Sequence, residues 1–335
     1  MEIPRQLAYL VGTFLPDQWF AKIPETTEDL TGRTYIVTGA NGGLGMATVI
    51  HLARMKPARI VLAVRNAAKG NKARDEIVTQ TGYGGIMDVW ELDMGSFASV
   101  RAFAERVDAE LQRLDGVLLN AGINVPYWKH TVDGWEETLQ VNLLATGLLG
   151  VLLLPILNKT TALPDSKPIA PHLTLTGSTA HCLYAFPQRK HRSGILQALN
   201  DEKQGQKKDR YPTSKLLLIL YARELASLRL AANVVVSVAD PGLCATNIGS
   251  EYDLPRWARS AAMSVAWPPE KGALNIIHAL LQSTPPASFV SCCAVRRTTG
   301  WSYTKDGVRV QKQLWKEMVE EWCREAPVVE AICRE

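Results

Sequence analysis

Between Thr34 and Leu119, apolar runs of strand length and amphipathic runs of helix length take turns without a break. Thr34-Tyr-Ile-Val-Thr38 is β-branched and ends in glycines, while Met46 to Met55 carries apolar residues at helical spacing and stops before Pro57. Arg59 to Val64 then reads as a strand, Lys69 to Gln80 as a polar helix, Ile86 to Leu92 as a strand, Ser96 to Leu111 as an amphipathic helix and Gly116 to Leu119 as a strand. A strand that returns through a helix joins its neighbour in parallel, because only a crossover brings the chain back to the same end of the sheet. The pattern continues with a long helix from about Gly134 to Asn158, a strand at His172 to Thr176, a helix opening near Tyr211 and a strand at Asn233 to Ala239. A last strand falls at Ser288 to Cys292. Unbroken runs such as Val234-Val-Val236 suit strands covered on both faces. The predicted fold class is α/β, a doubly wound parallel sheet of about seven strands with helices on both faces.

No linker or internal repeat divides the 335 residues, so one domain spanning 1–335 is expected. It carries four additions: a lead-in at 1–30, an insertion at 181–210, a loop at 243–269 and a C-terminal helical extension at 303–335. In that extension, roughly Val308 to Cys323, the residues Val310, Leu314, Met318 and Trp322 share one stripe, which needs a docking surface on the domain or on a second copy. A composition of 47% hydrophobic and 21% charged residues excludes disorder. The net charge of +4 is too small an excess to support a nucleic-acid surface. Six cysteines, Cys182, Cys244, Cys292, Cys293, Cys323 and Cys333, show neither a Cys-x-x-Cys pair nor a zinc-type Cys/His spacing, so no metal is expected. Met1 to Phe20 has no small-residue cleavage site, and the apolar run Leu143 to Leu157 falls short of the roughly 20 residues a membrane span needs. A cytoplasmic protein without an integral membrane span is the expectation, with that run as a core helix.

Two motifs carry chemistry. Thr38-Gly39-Ala40-Asn41-Gly42-Gly43-Leu44-Gly45 stands between the first strand and the first helix. Any tight turn could use two of these glycines, but at this place they also let a backbone approach a pyrophosphate, which the free N–H groups of a helix start attract. The second strand ends Ala63-Val64-Arg65, with no acid at its tip to hold a ribose 2′-hydroxyl. An arginine there suits a 2′-phosphate, so NADP(H) is expected rather than NAD(H). The second motif is Tyr211-Pro-Thr-Ser-Lys215, whose ends fall one helical turn apart on one face. Alone such a spacing is common and usually without meaning. An ammonium beside a phenol favours the phenolate, so the pair can exchange a proton with an alcohol or carbonyl oxygen.

Taken in order, Gly39-x-x-x-Gly43-x-Gly45, Asp93, Asn120-Ala121-Gly122, Asn142, Ser178, Tyr211-x-x-x-Lys215 and Asp240-Pro241-Gly242 resemble the short-chain dehydrogenase/reductase family from about Thr31 to Pro286. Thr176-Gly-Ser-Thr-Ala-His181 is similar to its retinol dehydrogenase-like branch, and Tyr211 to Ala226 with the Trp-containing C-terminal helix is similar to reductases of fungal secondary metabolism. The resemblance implies a Rossmann fold and a catalytic set of Tyr211 as proton donor or acceptor, Ser178 on the reacting oxygen, Lys215 on the nicotinamide ribose while lowering the tyrosine pKa, and Asn142 bending its helix around a relay water. For the cofactor it implies Asn41 and Leu44 within the glycine turn, Asp93 at the adenine, Asn120 to Gly122 along the adenosine, and Pro241, Gly242 and Thr246 at the nicotinamide. Thr176 and Thr179 are alternative hydroxyls to Ser178, and His181, at a strand exit, reads as structural. Ser178 and Tyr211 are 33 positions apart, wider than the minimal family pattern, so the insertion is expected to loop out beside the site.

The loops at the strand ends supply Tyr127, Trp128, Tyr184, Phe186, Tyr252, Trp257 and Trp267. Aromatics in that number suggest a bulky apolar ketone or secondary alcohol, such as a polyketide or terpenoid, unless they pack the lid itself. The expected reaction is ketone reduction by hydride transfer. A non-redox isomerase, dehydratase or cyclase on the same scaffold, or a catalytically silent nucleotide-binding regulator, are the alternatives. The apolar helix carrying Asn142 often forms a dimer face in resembling proteins, which makes a homodimer the partner expectation.

Overall fold

The computed structural model describes residues 10–163, 169–184, 186–204, 210–253, 255, 260 and 263–334. A short helix α1 (Leu15–Phe20) precedes β1 (Thr34–Thr38), α2 (Gly43–Arg54), β2 (Arg59–Val64), α3 (Ala67–Thr81), β3 (Ile86–Glu91), α4 (Phe97–Glu110) and β4 (Gly116–Leu119). Then follow the long helix α5 (Glu137–Thr161), β5 (His172–Thr176), a short α6 (Ile195–Leu199), α7 (Arg210–Leu225), β6 (Val235–Asp240), α8 (Pro269–Leu281), β7 (Ser288–Ser291), β8 (Ala294–Arg296), α9 (Lys305–Glu325) and α10 (Val328–Arg334). The strands form one sheet in the order β3-β2-β1-β4-β5-β6-β7-β8. Seven are parallel, as the alternation requires. The sheet has eight strands rather than about seven, because β8 folds back antiparallel on β7, with Val290 opposite Val295.

Side chains alternate across the sheet. Ile36, Val61 and Val117 point into a core shared with α4, α5 and α7, whereas Tyr35, Val37, Leu62 and Leu118 point into a second core with α2 and α8. Helix α8 follows Pro268 and starts on Pro269, where a missing N–H is harmless. It was not anticipated, since the prolines read as loop.

Among the described residues, α5 is the one helix long and apolar enough to cross a membrane, and it lies buried in the first core. Its first half is distorted: Gln140–Ala145 is a π turn. The C-terminal stripe docks on this chain itself, since Val310, Leu314, Met318 and Trp322 are all buried. Trp322 donates from Nε1 to the carbonyl of Leu144 at 2.9 Å and meets Tyr221 of α7 edge to face. Gly147 makes room for it, because a Cβ there would lie 2.6 Å from the indole. The chain's own α9 and α10 thus pack against α5 and α7.

Candidate active site

Strand order turns at β1 and β4, from which the chain runs outward in both directions, and in such sheets ligands bind beyond the carboxyl ends at this switch. A cavity of about 930 Å³ lies there. Its first half is the glycine turn. Gly39 and Gly43 have φ of +65° and +52°, a left-handed backbone that favours glycine. Gly45 lies behind the wall, where a Cβ would stand 2.3 Å from the carbonyl of Gly39. Helix α2 starts on Gly43 without a side-chain cap, leaving its first N–H groups free of intrahelical partners beside the cavity. Thr38 braces the turn: its Oγ1 accepts from the amides of Asn120 at 2.8 Å and Ala121 at 2.9 Å, and its carbonyl accepts from Asn120 Nδ2 at 3.0 Å.

The cavity wall includes Gly39, Asn41, Gly43, Leu44, Arg65, Asp93, Asn120, Ala121, Gly122, Pro241, Gly242 and Thr246. Arg65 follows β2 and is exposed. Asp93 follows β3, and its Oδ1 accepts from the amide of Gly95 at 2.8 Å. Of the cofactor candidates, Gly45 alone is set back from the surface, where it serves packing.

Ser178, Tyr211 and Lys215 also line this cavity. Ser178 leaves β5 in extended backbone, accepts from the amide of Ala180 at 3.1 Å and lies close enough to Tyr211 to draw its pKa down. Lys215 donates to the carbonyl of Thr176 at 2.8 Å, and its Nζ lies 5.6 Å from the centre of the Tyr211 ring. Spacing suggested a lowered tyrosine pKa; burial pushes Tyr211 up to about 12, against a smaller downward pull from Ser178. Burial also draws Lys215 down to about 8. In both groups the leading cause is desolvation of the charged form.

Asn142 sits behind the wall in the π turn. Its Oδ1 accepts from the amide of Ile123 at 2.8 Å, and its Nδ2 donates to the Ile123 carbonyl at 2.9 Å and to Ser214 Oγ at 3.1 Å. The helix is distorted at Asn142 as expected, with the side chain tying it to the β4 exit and to α7. Thr176 and Thr179, the alternative hydroxyls, have other work: Thr176 donates to Asn120 Oδ1 at 3.3 Å, and Thr179 donates from both its amide and its hydroxyl to Asp240. Asp240, buried at the end of β6, also accepts from Ser291 Oγ at 3.0 Å. His181 is buried, bonded through Nδ1 to the Ser178 carbonyl at 2.8 Å and packed on Phe289, a strut as its position suggested.

The insertion does not separate the pair. Where described, it folds against α9, whose Glu317 carboxylate accepts from the amides of Ile195 at 3.1 Å and Leu196 at 2.9 Å. The aromatic expectation needs correcting, for none of the described candidates lines the cavity. Tyr184 and Phe186 pack on Trp301, Trp128 lies under the Arg210 guanidinium, and Tyr252 bonds Asn124 and Val125. Trp267 is buried against Gln18, and Tyr127 is largely exposed. Trp257 lies outside the described residues. Tyr184, Phe186 and Trp267 turn inward, where their area is removed from water. The apolar wall comes instead from Phe14, Ile123, Val125, Val132, Val141, Leu183, Leu243 and Ile248. Phe14 was missed, although the short apolar stretch around it was visible in the lead-in.

A family profile described as short chain dehydrogenase matches residues 33–162. The chain is 33% identical over 323 residues to the short-chain dehydrogenase anuD of Penicillium roqueforti, covering 92% of this chain and 82% of that one. This chain belongs to the short-chain dehydrogenase family. A second fungal member, the short chain dehydrogenase sol3 of Alternaria solani, is 38% identical over 280 residues, covering 83% of this chain and 94% of the relative. Among solved structures, an uncharacterized protein from Mycobacterium paratuberculosis superposes with a TM-score of 0.61 at 26% identity, over 90% of this chain and 96% of that one. The short-chain dehydrogenase match thus reaches well beyond the profile's span and takes in the Ser178 and Tyr211 region.

Proposed function

We propose that this short-chain dehydrogenase is an NADP(H)-dependent oxidoreductase that reduces a ketone on a bulky apolar metabolite, of the polyketide or terpenoid kind. The observation that carries the reading is the convergence of Ser178, Tyr211 and Lys215 on the cavity that also holds the glycine turn, with Lys215 one helical turn on from Tyr211. The residues present fit a dinucleotide. A Cβ on Gly39 would stand 3.2 Å from Ala121 Cα, and one on Gly43 3.4 Å from Thr246, so both positions hold open a cradle that other residues would narrow. The free N–H groups opening α2 suit a pyrophosphate, and Arg65 suits a 2′-phosphate. Asp93 would hold the adenine, Asn120 to Gly122 the adenosine, Lys215 the nicotinamide ribose, and Pro241, Gly242 and Thr246 the nicotinamide, which when bound supplies the hydride.

The protein's own part is proton transfer and orientation. Ser178 and the Tyr211 hydroxyl together would bond the carbonyl oxygen and polarise it. With its pKa pushed up to about 12, Tyr211 carries its proton at neutral pH, as an acid for reduction must. As the proton leaves, the nearby Lys215 ammonium favours the phenolate. On the substrate side, Glu137 lines the cavity with a buried Oε2 that has no hydrogen-bond partner among the described residues, an acceptor for a hydroxyl on the ligand.

Titration of the purified protein with NADPH and NADH, beside an Arg65→Ala variant, tests the cofactor reading. Loss of charge-assisted bonds to a phosphate, about 1.5–3 kcal/mol, is expected to weaken NADPH by roughly 10- to 100-fold and leave NADH unchanged. A panel of apolar ketones is then screened by NADPH consumption. Absence of binding by either nucleotide would overturn the oxidoreductase reading, and a clear preference for NADP⁺ with alcohols at neutral pH would overturn the direction.

A further inference from the structure

The lead-in enters the site twice. Phe14 stands on the cavity wall, and in α1 Gln18 is 3% exposed, its side chain enclosed by the loop that follows β6. The amide of Gln18 reaches both stems of that loop. Nε2 donates to the carbonyls of Leu243 and Val265, each at 2.9 Å, and Oε1 accepts from the amide of Leu243 at 3.0 Å. The Gln18 carbonyl accepts from Trp267 Nε1 at 2.6 Å. The stems are laced to each other as well, Trp267 N to Leu243 O and Ala245 N to Trp267 O, both at 2.8 Å. A primary amide offers two donors and an acceptor in one plane, which is what two carbonyls and one N–H ask for. A carboxylate in its place would set an oxygen against two carbonyl oxygens. Beyond the first stem, Leu243, Thr246, Asn247 and Ile248 form cavity wall.

We propose that Gln18 is a positioning residue for the reaction, clamping the substrate loop by both stems, and that the lead-in helps to select the substrate through Phe14. The kinetic part of this inference rests on the ketone-reductase reading; the clamp itself does not.

The test uses the full chain with Gln18→Ala, Gln18→Glu and Phe14→Ala, hydrogen exchange as a readout without catalysis, and phenanthrenequinone with NADPH as the kinetic probe. Gln18→Ala is expected to speed exchange about tenfold or more in peptides covering 241–253 and 263–269, with the strand peptides of β1 and β5 unchanged. KM for the quinone is expected to rise about tenfold with kcat changed less than about threefold, because the loop's contacts act on binding. Gln18→Glu is expected to be at least as severe. Phe14→Ala is expected to raise KM while leaving loop exchange at the wild-type rate. If Gln18→Ala fails to fold, Gln18→Met, of similar length without the amide, carries the same expectation. Wild-type exchange in both loop peptides with a wild-type KM would overturn the clamp, whatever happens to Tm. Exchange decides the clamp even if the wild type consumes no NADPH with this probe, and the nucleotide titration decides the oxidoreductase reading separately.

Discussion

Replacing Lys215 by methionine removes a charge that burial disfavours, and the effect can be followed along the pH axis. The side chain is 4% exposed, and desolvation draws its pKa from 10.5 to about 8. At about 1.4 kcal/mol per pKa unit, the fold prefers the neutral amine by roughly 3 kcal/mol. The sign follows from proton counting. Between about pH 8 and 10.5 the unfolded chain holds a proton that the folded one has released, so stability rises with pH through this window, and below pH 8 the full penalty is present. The Lys215→Met protein has no such dependence. The unfolding free energy of the wild type relative to the variant should therefore climb by about 2–3 kcal/mol between pH 7 and 10. The bond to the Thr176 carbonyl survives neutralisation, because an amine still donates, and it drops out of the slope. Urea unfolding of both nucleotide-free proteins at four pH values, followed by tryptophan fluorescence, gives the difference directly. Other tyrosines and cysteines titrate in both proteins and cancel. A difference that stays flat would refute the reasoning, since it would mean that the ammonium is solvated in the fold.

Tyr211→Phe is expected to lower kcat about 10²- to 10⁴-fold with NADPH affinity held within about threefold, because only the proton is lost; steady-state kinetics and nucleotide titration separate the two. Trp322→Ala empties a fully buried site against α5 and α7 and is expected to destabilise by about 3–5 kcal/mol in urea unfolding.

The parallel sheet and the cofactor half of the site were legible because they depend on local patterns. Runs such as Thr34 to Thr38 have one compatible period, and Gly39 and Gly43 need φ values that other residues resist. Tyr211, Lys215 and Ser178 were legible only as a set, through the resemblance that the ordered motifs carry, since neither helical spacing nor a strand exit alone marks them. The substrate half was not. Whether Tyr184 or Phe186 lines a cavity or packs on Trp301 depends on a side chain more than 100 positions away, and no period reports that. Spacing likewise reveals the Lys215 neighbour and not the burial that raises the Tyr211 pKa. Gln18 escaped notice because a lone glutamine in a lead-in has no signature until the stems at Leu243 and Val265 are brought to it.

The π turn in α5 depends on a distant part of the chain. A backbone widened there leaves carbonyls to be satisfied from elsewhere: Thr146 Oγ1 serves Val141 at 2.8 Å, and Trp322 serves Leu144. The first donor lies within the same helix, but the second lies 178 residues downstream. A chain lacking Trp322 would leave the Leu144 carbonyl without its indole donor and the space over Gly147 unfilled, so removal of the C-terminal extension is expected to loosen the turn that holds Asn142.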